Sequence, residues 1–222
     1  TGTLVHALLY KYQDIQSSSE NQRPGLVHRL DKNTTGLMVV ARNEMALTHL
    51  SSQFSNRTIH RKYIALVWGD VKDNKGTIIG NIGRNKRNRK LMTVFTNEEE
   101  GKHAITHYEV LERFRYVTLI SCTLETGRTH QIRVHLKHIG HPLFNDNEYG
   151  GDKILRGTTF SKYKQFIHNC FKILPRQALH ATSLTFIHPI TNKNISFTID
   201  LPEDMMNILT RWRNYVLNTT NF

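Results

Sequence analysis

Residues 104–124, AITHYEVLERFRYVTLISCTL, contain two strand-like runs, at 104–111 and 117–124, with no helical segment between them. Another run, RKYIALVWG at 61–69, ends at a glycine, and its side chains alternate between two apolar faces that we expect to be covered. Further runs rich in strand-forming residues occupy 36–41, 77–82, 91–95, 183–187 and 195–199. Because several strands follow one another before a helix intervenes, the sequence predicts an α+β fold with a mixed, mostly antiparallel central sheet.

Helical periodicity marks both ends of the chain and several segments between strands. Apolar residues recur with helical spacing at residues 5–12 and at residues 46–54, where Asn43 is placed to cap the second helix. Further helices are predicted at 129–139, with Thr129 as the N-cap, at 160–173 and at 203–217. Since no repeat or linker divides the sequence, we expect residues 1–222 to form a single domain.

Composition restricts the class of protein. The chain has 222 residues, 38% of them hydrophobic, which suits a globular protein and excludes a disordered tail. No apolar run approaches the roughly 18 residues that a membrane span needs. With 30 Lys and Arg against 18 Asp and Glu, the net charge of +12 favours nucleic acid as the partner. The two cysteines follow no disulfide or zinc pattern, so we expect a reducing, cytoplasmic location. The chain begins without an initiator Met, as expected of a fragment or a trimmed protein.

The stretch HRLDKNTTG at 28–36 places a dense set of polar residues beside an apolar run that we predict to be a buried strand. A carboxylate removed from water is costly unless it is paired or hydrogen-bonded. Asp31 is therefore either a functional carboxylate or half of a structural ion pair with Arg29 or Lys32. The residues alone leave these two alternatives open.

A second polar stretch, ETGRTHQIRVH at 125–135, follows a strand, turns at Gly127 and opens a helix. Arg128 lies at the start of that helix, where its guanidinium can be aimed at a carboxylate elsewhere, or where it is simply a surface residue on a turn. Four histidines here spread around the helix, without Cys or carboxylate at ligand spacing, so we expect no metal site. They are His130, His135, His138 and His141.

The run RNKRNRK at 84–90 holds five basic residues in seven: Arg84, Lys86, Arg87, Arg89 and Lys90. Such a run is ordinarily a solvated face, but in a chain this basic it is the best candidate for phosphate contacts. The nearby glycines match neither the dinucleotide-binding pattern nor the P-loop. No nucleotide cofactor site is therefore predicted.

Four segments together resemble the RluA-type pseudouridine synthases, nearest to the RluC and RluD group. They are HRLDKNTTGLMVVAR at 28–42, RKYIALVWG at 61–69, ETGRTHQIRVHLKHIGHPLFNDNEYGG at 125–151 and RQALHATSLTFIHP at 176–189. The segments occur in the family's order and extend over most of the chain. The resemblance implies a mixed, mostly antiparallel sheet with helices against it and a basic cleft across it. Many members carry a small S4-type RNA-binding domain ahead of the catalytic one, which we expect this chain to lack.

The resemblance also implies an activity: the isomerisation of uridine to pseudouridine in RNA, without a cofactor. The expected substrate is large-subunit ribosomal RNA, with transfer RNA as an alternative. Asp31 corresponds to the family's catalytic aspartate, acting either as a nucleophile or as a base. Arg128 matches the arginine expected near it, and Tyr63 matches the active-site tyrosine, whose ring would hold the flipped base.

Further residues are expected to contact RNA or to support the site. A stacked uridine must leave its stack to reach Asp31, and Arg29 matches the residue that related enzymes insert into the gap. His28 and Thr35 are expected to support the loop. The full RNA-contacting set is Arg29, His28, Arg84, Lys86, Arg87, Arg89, Lys90 and Arg133. We expect no metal ion, no membrane contact and a monomeric protein.

Two other functions remain open from the residues. One is a non-catalytic RNA-binding or ribosome-assembly module that keeps the same fold. The other is a glycoside hydrolase, which needs two carboxylates about 5–10 Å apart. Glu125, Asp146 and Glu148 are the candidates for a second acid beside Asp31.

Overall fold

The computed structural model describes residues 3–12, 24–97 and 99–220. Its helices are α1 (Leu4–Lys11), α2 (Glu44–Ser55), α3 (Gln131–His138), α4 (Ser161–Ile173) and α5 (Glu203–Thr220). Its strands are β1 (Thr35–Gly36), β2 (His60–Trp68), β3 (Lys75–Arg84), β4 (Met92–Phe95), β5 (Lys102–Arg113), β6 (Val117–Leu124), β7 (Leu179–Ile187) and β8 (Asn194–Thr198). None of the helices in these described ranges is both long and apolar enough to cross a membrane.

The chain divides into two compact units. The first unit comprises Thr1–Leu30, Leu37–His60 and Ser183–Thr198. In it the second half of β7 pairs antiparallel with β8, and Asn43 caps α2 as predicted, its side chain accepting a hydrogen bond from the Ala46 N–H at 2.9 Å. Its small core consists of Ala41, Leu50, Ile59, Leu184 and Phe186.

The second unit comprises Asp31–Gly36, Arg61–Thr182 and Ile199–Phe222. Along the sheet the strands follow the order β1-β7-β2-β6-β5-β3-β4. The β1–β7 pair is parallel, whereas the β2–β6, β5–β6, β3–β5 and β3–β4 pairs are antiparallel. The predicted α+β fold with a mixed, mostly antiparallel sheet is thereby confirmed.

The main core of the second unit lies between β2, β6 and the two long helices α4 and α5. Alternate residues of β2, Leu66 and Trp68, pack with Ile167 of α4 and with Ile208 and Trp212 of α5. Trp212 is fully buried, and its ring meets Phe144 edge-on at 6.2 Å between centroids. Burial of aromatic and aliphatic side chains of this size is the largest favourable contribution to folding.

The predicted strand at 36–41 is wrong in its extent, because only Thr35 and Gly36 enter the sheet. Gly36 has a φ of 126° and lies against the backbone of Ala181, where an added Cβ would come within 2.3 Å of the Ala181 carbonyl oxygen. The apolar residues that follow, including Leu37 and Val39, pack instead against the core of the first unit.

Candidate active site

Asp31 begins a tight turn over residues 31–34. The Thr34 N–H donates to the Asp31 carbonyl at 3.0 Å, and Asn33 adopts a φ of 69°, a left-handed conformation that Asn tolerates well. The side-chain amide of Gln177 donates to the Lys32 carbonyl at 2.7 Å and to the Thr34 hydroxyl at 3.1 Å. The Asp31 carboxylate therefore sits on a turn that is fixed both internally and by a distant segment.

The residue after this turn is anchored to the sheet. Thr35 pairs with His180 in the parallel β1–β7 ladder, and its hydroxyl lies 2.8 Å from the His180 Nδ1. This attachment is small, because β1 has two residues and one side-chain hydrogen bond. It nevertheless limits how far Asp31 can move, because only three residues separate it from Thr35.

Two nitrogen groups face the Asp31 carboxylate from α3 and the residue before it. The Arg133 Nη1 lies 3.7 Å from one oxygen, and the His130 Nε2 lies 4.0 Å from the other. Both distances exceed those of hydrogen bonds. The carboxylate is 14% exposed, so it is partly open to solvent. Positive charge is thus near Asp31, while its oxygen lone pairs stay available to a substrate.

Arg133 is held firmly by other carboxylates. Its Nε and Nη2 donate to the two oxygens of Asp146 at 2.7 and 2.8 Å, and Nη2 also bonds Glu148. The guanidinium lies 4.8 Å from the centre of the Tyr149 ring. Burial by itself would lower the pKa of Arg133, but the hydrogen bonds to Asp146 and Glu148 and the charges of Asp146 and Asp31 raise it overall. The cation beside Asp31 is therefore permanent and fixed in direction.

Arg128 does not lie against Asp31, contrary to the expectation from the resemblance. Within the part of the chain that the structure describes, the two form no ion pair, and the Arg128 Nε donates to the His103 carbonyl at 3.1 Å. Arg133 occupies the predicted place beside Asp31. Arg133 was also predicted to contact RNA. Its guanidinium is 2% exposed and bonded to carboxylates, and contact with a phosphate stays a prediction.

The start of α3 explains this correction. The helix begins at Gln131 instead of following a Thr129 cap, and its N-cap His130 has a left-handed φ of 56°. The side chain of Gln131 accepts from the Arg128 N–H at 2.9 Å and holds the preceding loop. Gln131 and Ile132 are buried in the first helical turn, and Arg133, which follows them, faces Asp31. A sequence pattern that places the helix start two residues earlier therefore favours Arg128 over Arg133 as the neighbour of Asp31.

Next to Asp31, the partly buried His130 contacts the buried Tyr149. The Tyr149 hydroxyl accepts from the Met92 N–H at 3.0 Å and lies 2.7 Å from the His130 Nδ1. Burial raises the pKa of Tyr149 to about 12, so the hydroxyl keeps its proton. Because the Met92 N–H already donates to this oxygen, we assign the Tyr149 hydroxyl as the donor and Nδ1 of His130 as the acceptor of the bond between them. The His130 N–H is then on Nε2, the atom that faces Asp31.

The charge state of His130 follows from its surroundings. Burial lowers the pKa of His130, with Arg133 acting in the same direction and Asp31, Glu148 and Asp146 acting against it. The ring is therefore neutral near pH 7. Sequence reasoning considered His130 only as a metal ligand and gave no role to Tyr149. The only sequence signal for a role of Tyr149 was its position within the segment NDNEYGG, because no periodicity links Tyr149 to His130.

Tyr63 lies on β2, where it pairs with Cys122 across the β2–β6 ladder. Its side chain is 7% exposed. Burial raises the pKa of Tyr63, Arg61 lowers it, and the negative charge of Asp31 raises it further. The tyrosine ring and the carboxylate are therefore close enough to interact electrostatically. The structure brings together Asp31 and Tyr63 of the predicted site and adds Arg133, His130 and Tyr149.

The three candidate second acids are each committed to another group. Asp146 is fully buried in its bonds to Arg133, which Glu148 also contacts. The Glu125 carboxylate lies 2.6 Å from the His107 Nε2. No second acid is thus presented to Asp31 among these candidates, which argues against the glycoside hydrolase alternative. Among the residues that the structure describes, no group of His, Cys, Asp and Glu could hold a metal ion.

The basic run at 84–90 forms the loop between β3 and β4. The Asn85 side chain accepts from the Arg87 and Asn88 N–H groups at 2.9 and 3.0 Å, which shapes the loop. Lys86 pairs with Glu100 at 2.8 Å. The remaining cations, Arg84, Arg87, Arg89 and Lys90, are exposed, and within the described residues none of these four forms an ion pair with an acid.

Two predicted RNA-contacting residues lie in the first unit. The His28 Nε2 accepts from the Val39 N–H at 3.0 Å, and the ring stacks on Phe54 at 4.6 Å, as suits a residue that supports the loop. Arg29 is exposed and lines a cavity of about 400 Å³ with Leu4 and Met38.

Known proteins are similar to this chain in sequence and in fold. The sequence pattern of a family described as RNA pseudouridylate synthase matches residues 6–138. An uncharacterised RNA pseudouridine synthase of Chlorobaculum parvum is 49% identical over 96% of this chain and 66% of its own length. The ribosomal large subunit pseudouridine synthase D of Pseudomonas aeruginosa is 45% identical over 96% of this chain and 63% of its own. The chain thus spans less than two thirds of either relative.

A solved structure gives the same result for the fold. The human RNA pseudouridylate synthase domain containing 1 superposes with a TM-score of 0.67 at 26% identity, covering 90% of this chain and 74% of that one. The family match includes Asp31, Tyr63, His130 and Arg133, the residues that the structure groups around one carboxylate. Sequence, fold and site therefore agree, and the chain belongs to the RNA pseudouridylate synthase family.

Proposed function

We propose that this protein isomerises uridine to pseudouridine in RNA, with Asp31 as the catalytic carboxylate. The observation that supports this most is the environment of Asp31, which faces Arg133 at 3.7 Å and His130 at 4.0 Å without a hydrogen bond to either. A carboxylate with nearby positive charge and free lone pairs is suited to act as a nucleophile or a base. Family membership supports the same reaction.

The chemistry requires one carboxylate and conserves all atoms. The bond between the sugar C1′ and N1 of uracil breaks, the base rotates, and C1′ forms a new bond to C5. The proton leaves C5, and N1 gains one, so that no oxidant, reductant or cofactor is needed. Asp31 either attacks the nucleotide or removes a sugar proton. In both cases Arg133 stabilises negative charge on the carboxylate.

The other site residues hold the nucleotide and the carboxylate. Tyr63 is proposed to contact the flipped uracil, since base–aromatic stacking contributes about 1–3 kcal/mol without depending on sequence. Arg128 lies outside the immediate surroundings of Asp31, and its proposed role is limited to the neighbouring RNA backbone. Arg29 is proposed to fill the stack from which the uridine leaves, and its exposed position supports this.

Large-subunit ribosomal RNA is the proposed substrate, because the Pseudomonas aeruginosa relative is named for it. The exposed cations of the loop at 84–90 are proposed to bind phosphate groups, which the net charge of +12 supports. Transfer RNA is the alternative that substrate mapping would reveal. We further propose that residues 1–222 are a single catalytic domain that acts as a monomer in the cytoplasm.

Release of tritium from RNA labelled at C5 of uridine tests this proposal. Asp31→Asn keeps the size of the side chain and removes its charge. Activity should fall by about 10³-fold or more, the scale expected for a group that takes part in bond formation. RNA affinity should change by no more than a few fold. Full activity in the variant would refute the assignment.

A non-catalytic RNA-binding module predicts a different outcome. In that case cells carrying Asp31→Asn would be indistinguishable from wild type, and mapping would find no pseudouridine that depends on the gene. Mapping of RNA from cells with and without the gene separates the two functions and identifies the modified uridine.

A further inference from the structure

Two neighbouring cavities of the second unit lie along α4 and share part of their walls. One has a volume of about 430 Å³, and the other about 480 Å³. They share Asp152, His168 and Phe171 in their walls. The two cavities together, here called the α4 groove, reach from Asn33 in the turn that carries Asp31 to Lys164 in the first turns of α4.

The walls of the α4 groove are rich in uncommitted positive charge. Lys153, Lys164 and Lys172 line it, and within the described residues none of the three pairs with an acid. Asp152 is the one carboxylate among the lining residues of the two cavities. α4 has no acidic residue in its sequence SKYKQFIHNCFKI, so no charge on the helix opposes these lysines. Such a wall attracts an anionic chain.

Other lining residues offer contacts for bases. Phe171 lines both cavities while its ring also packs against Trp68 and Phe144. Asn147 and Gln165 add side-chain amides, and the Gln165 amide donates to Asn169 at 3.0 Å. Phe160 is 73% exposed directly before α4, where it caps the helix without a side-chain hydrogen bond. Phe160 lies outside the lining of the two cavities, whereas Phe171 supplies the aromatic ring beside their lysines, a combination found on surfaces that bind single-stranded nucleic acid.

The floor of the groove is rigid and joins it to the catalytic turn. Arg176 forms two hydrogen bonds at 2.8 Å with Asp204. Next to it, Gln177 donates to the Lys32 carbonyl in the Asp31 turn. Asn145 donates to the Phe171 and Leu174 carbonyls at the end of α4. One end of the α4 groove therefore borders the turn that carries Asp31.

We propose that the α4 groove binds the single-stranded RNA segment that flanks the target uridine. Lys153, Lys164 and Lys172 bind its phosphate groups, and the aromatic and amide side chains contact its bases. The inference rests on the proposed function, because the substrate must be RNA. It adds a surface that lies outside the family match at 6–138, except for Asn33.

Direct binding to RNA with a single-stranded flank on each side of a uridine tests the groove without relying on catalysis. The groove variant is Lys153→Gln, Lys164→Gln and Lys172→Gln. The matched control removes the same charge from exposed lysines elsewhere, with Lys11→Gln, Lys102→Gln and Lys193→Gln. The slope of log affinity against log salt should become less steep by about 2 in the groove variant. Its affinity should fall by roughly tenfold at moderate salt, and by less for RNA without flanks.

The outcomes separate the groove from the proposed function. Equal slopes and affinities for the groove variant and the control would overturn the groove, whatever the activity of the protein. A groove-specific loss that disappears with flank-free RNA would support it. Persistence of tritium release in Asp31→Asn would instead refute the catalytic assignment, and the binding slopes would still decide about the groove. Thermal unfolding of both triple variants checks that the exposed substitutions leave the fold intact.

Discussion

Asp31 and Asp146 approach the same guanidinium in opposite ways. Asp146 is fully buried and receives two short hydrogen bonds from Arg133, together with the N–H groups of Glu148 and Tyr149. Asp31 is 14% exposed and stays 3.7 Å from Arg133. One carboxylate uses its lone pairs within the protein, and the other keeps them free. The difference in geometry gives Asp146 a structural role and supports the reactive role proposed for Asp31.

The comparison also explains why Arg133 does not collapse onto Asp31. A guanidinium has its donors in a rigid plane, and Asp146 and Glu148 take the Nε and Nη2 edge. Only Nη1 is left to face Asp31, and its direction is set by the other bonds. The structural carboxylates thus maintain the distance that leaves the reactive one available.

Removal of the structural carboxylate should have the largest effect on stability. Asp146→Asn leaves the buried Arg133 charge without its main partner, so the free energy of unfolding should fall by about 3–5 kcal/mol in urea denaturation. Asp31→Asn should change it by less than about 1 kcal/mol, while abolishing activity. The control Glu148→Gln, whose carboxylate is 42% exposed, should cost less than about 1 kcal/mol. Equal losses for Asp31→Asn and Asp146→Asn would break the comparison.

Acid should destabilise the protein through the buried side of α3. His135 is fully buried, and burial lowers its pKa from 6.5 to about 4. Since the unfolded chain binds a proton more readily, stability is complete above pH 6.5 and falls as the pH drops toward 4, by up to about 3 kcal/mol. His130 and His180 act in the same direction, because burial lowers the pKa of each.

Denaturation of wild type and His135→Gln at several pH values measures this contribution. The variant should be less stable at neutral pH, because it loses the bond of Nδ1 to the Thr106 hydroxyl at 2.9 Å. Its stability should nevertheless depend less on pH between 6.5 and 4. Parallel curves for the two proteins would show that His135 does not carry the acid sensitivity.

Tyr149→Phe tests whether the reactive side depends on a fixed tautomer. The substitution removes the proton donated to His130 and leaves the Met92 N–H without its acceptor. We expect kcat to fall about tenfold, equivalent to about 1.4 kcal/mol, with little change in KM. Recovery of kcat at a shifted pH optimum would fit a tautomer role, which a purely structural loss would not produce. Tyr10→Phe, at a residue that is 90% exposed, is the control.

The smallest expected effect concerns the loop at 84–90, where cations without an acidic partner can be compared with a cation in an ion pair. Arg87, Arg89 and Lys90 lack acidic partners within the described residues, whereas Lys86 is paired with Glu100. Replacing the three by Gln should reduce the slope of log affinity against log salt by about 2. Lys86→Gln should reduce it by less than one third of that amount. A larger effect of Lys86→Gln would mean that this ion pair opens when RNA binds.

Much of the fold could be predicted because its signals are local. Alternating apolar residues marked β2, and strand-forming residues marked β6 over the same residues that the structure shows. The extent of β1 could not be predicted, since it depends on the contact of Gly36 with Ala181, far along the chain. An apolar run next to a strand carries no sign that it belongs to a different unit.

Sequence could predict those site residues whose identity is recognisable from the motif itself. Asp31 and Tyr63 stood out by resemblance, and the structure brings both into one electrostatic environment. The choice between Arg128 and Arg133 depended on where α3 begins, which the left-handed His130 decides. Residues with φ above zero are uncommon, and no propensity argument would place one at this helix start. Because α3 contains no acidic residue, the sequence did carry one signal that the carboxylate partner of Arg133 lies elsewhere in the chain.

The contact of Gly36 with Ala181 restricts position 36 to glycine. Any side chain at position 36 would collide with the neighbouring strand and push the preceding turn outward, carrying the reactive carboxylate away from its cation. The turn that carries Asp31 is therefore held in register with β7 by the close approach of two backbones.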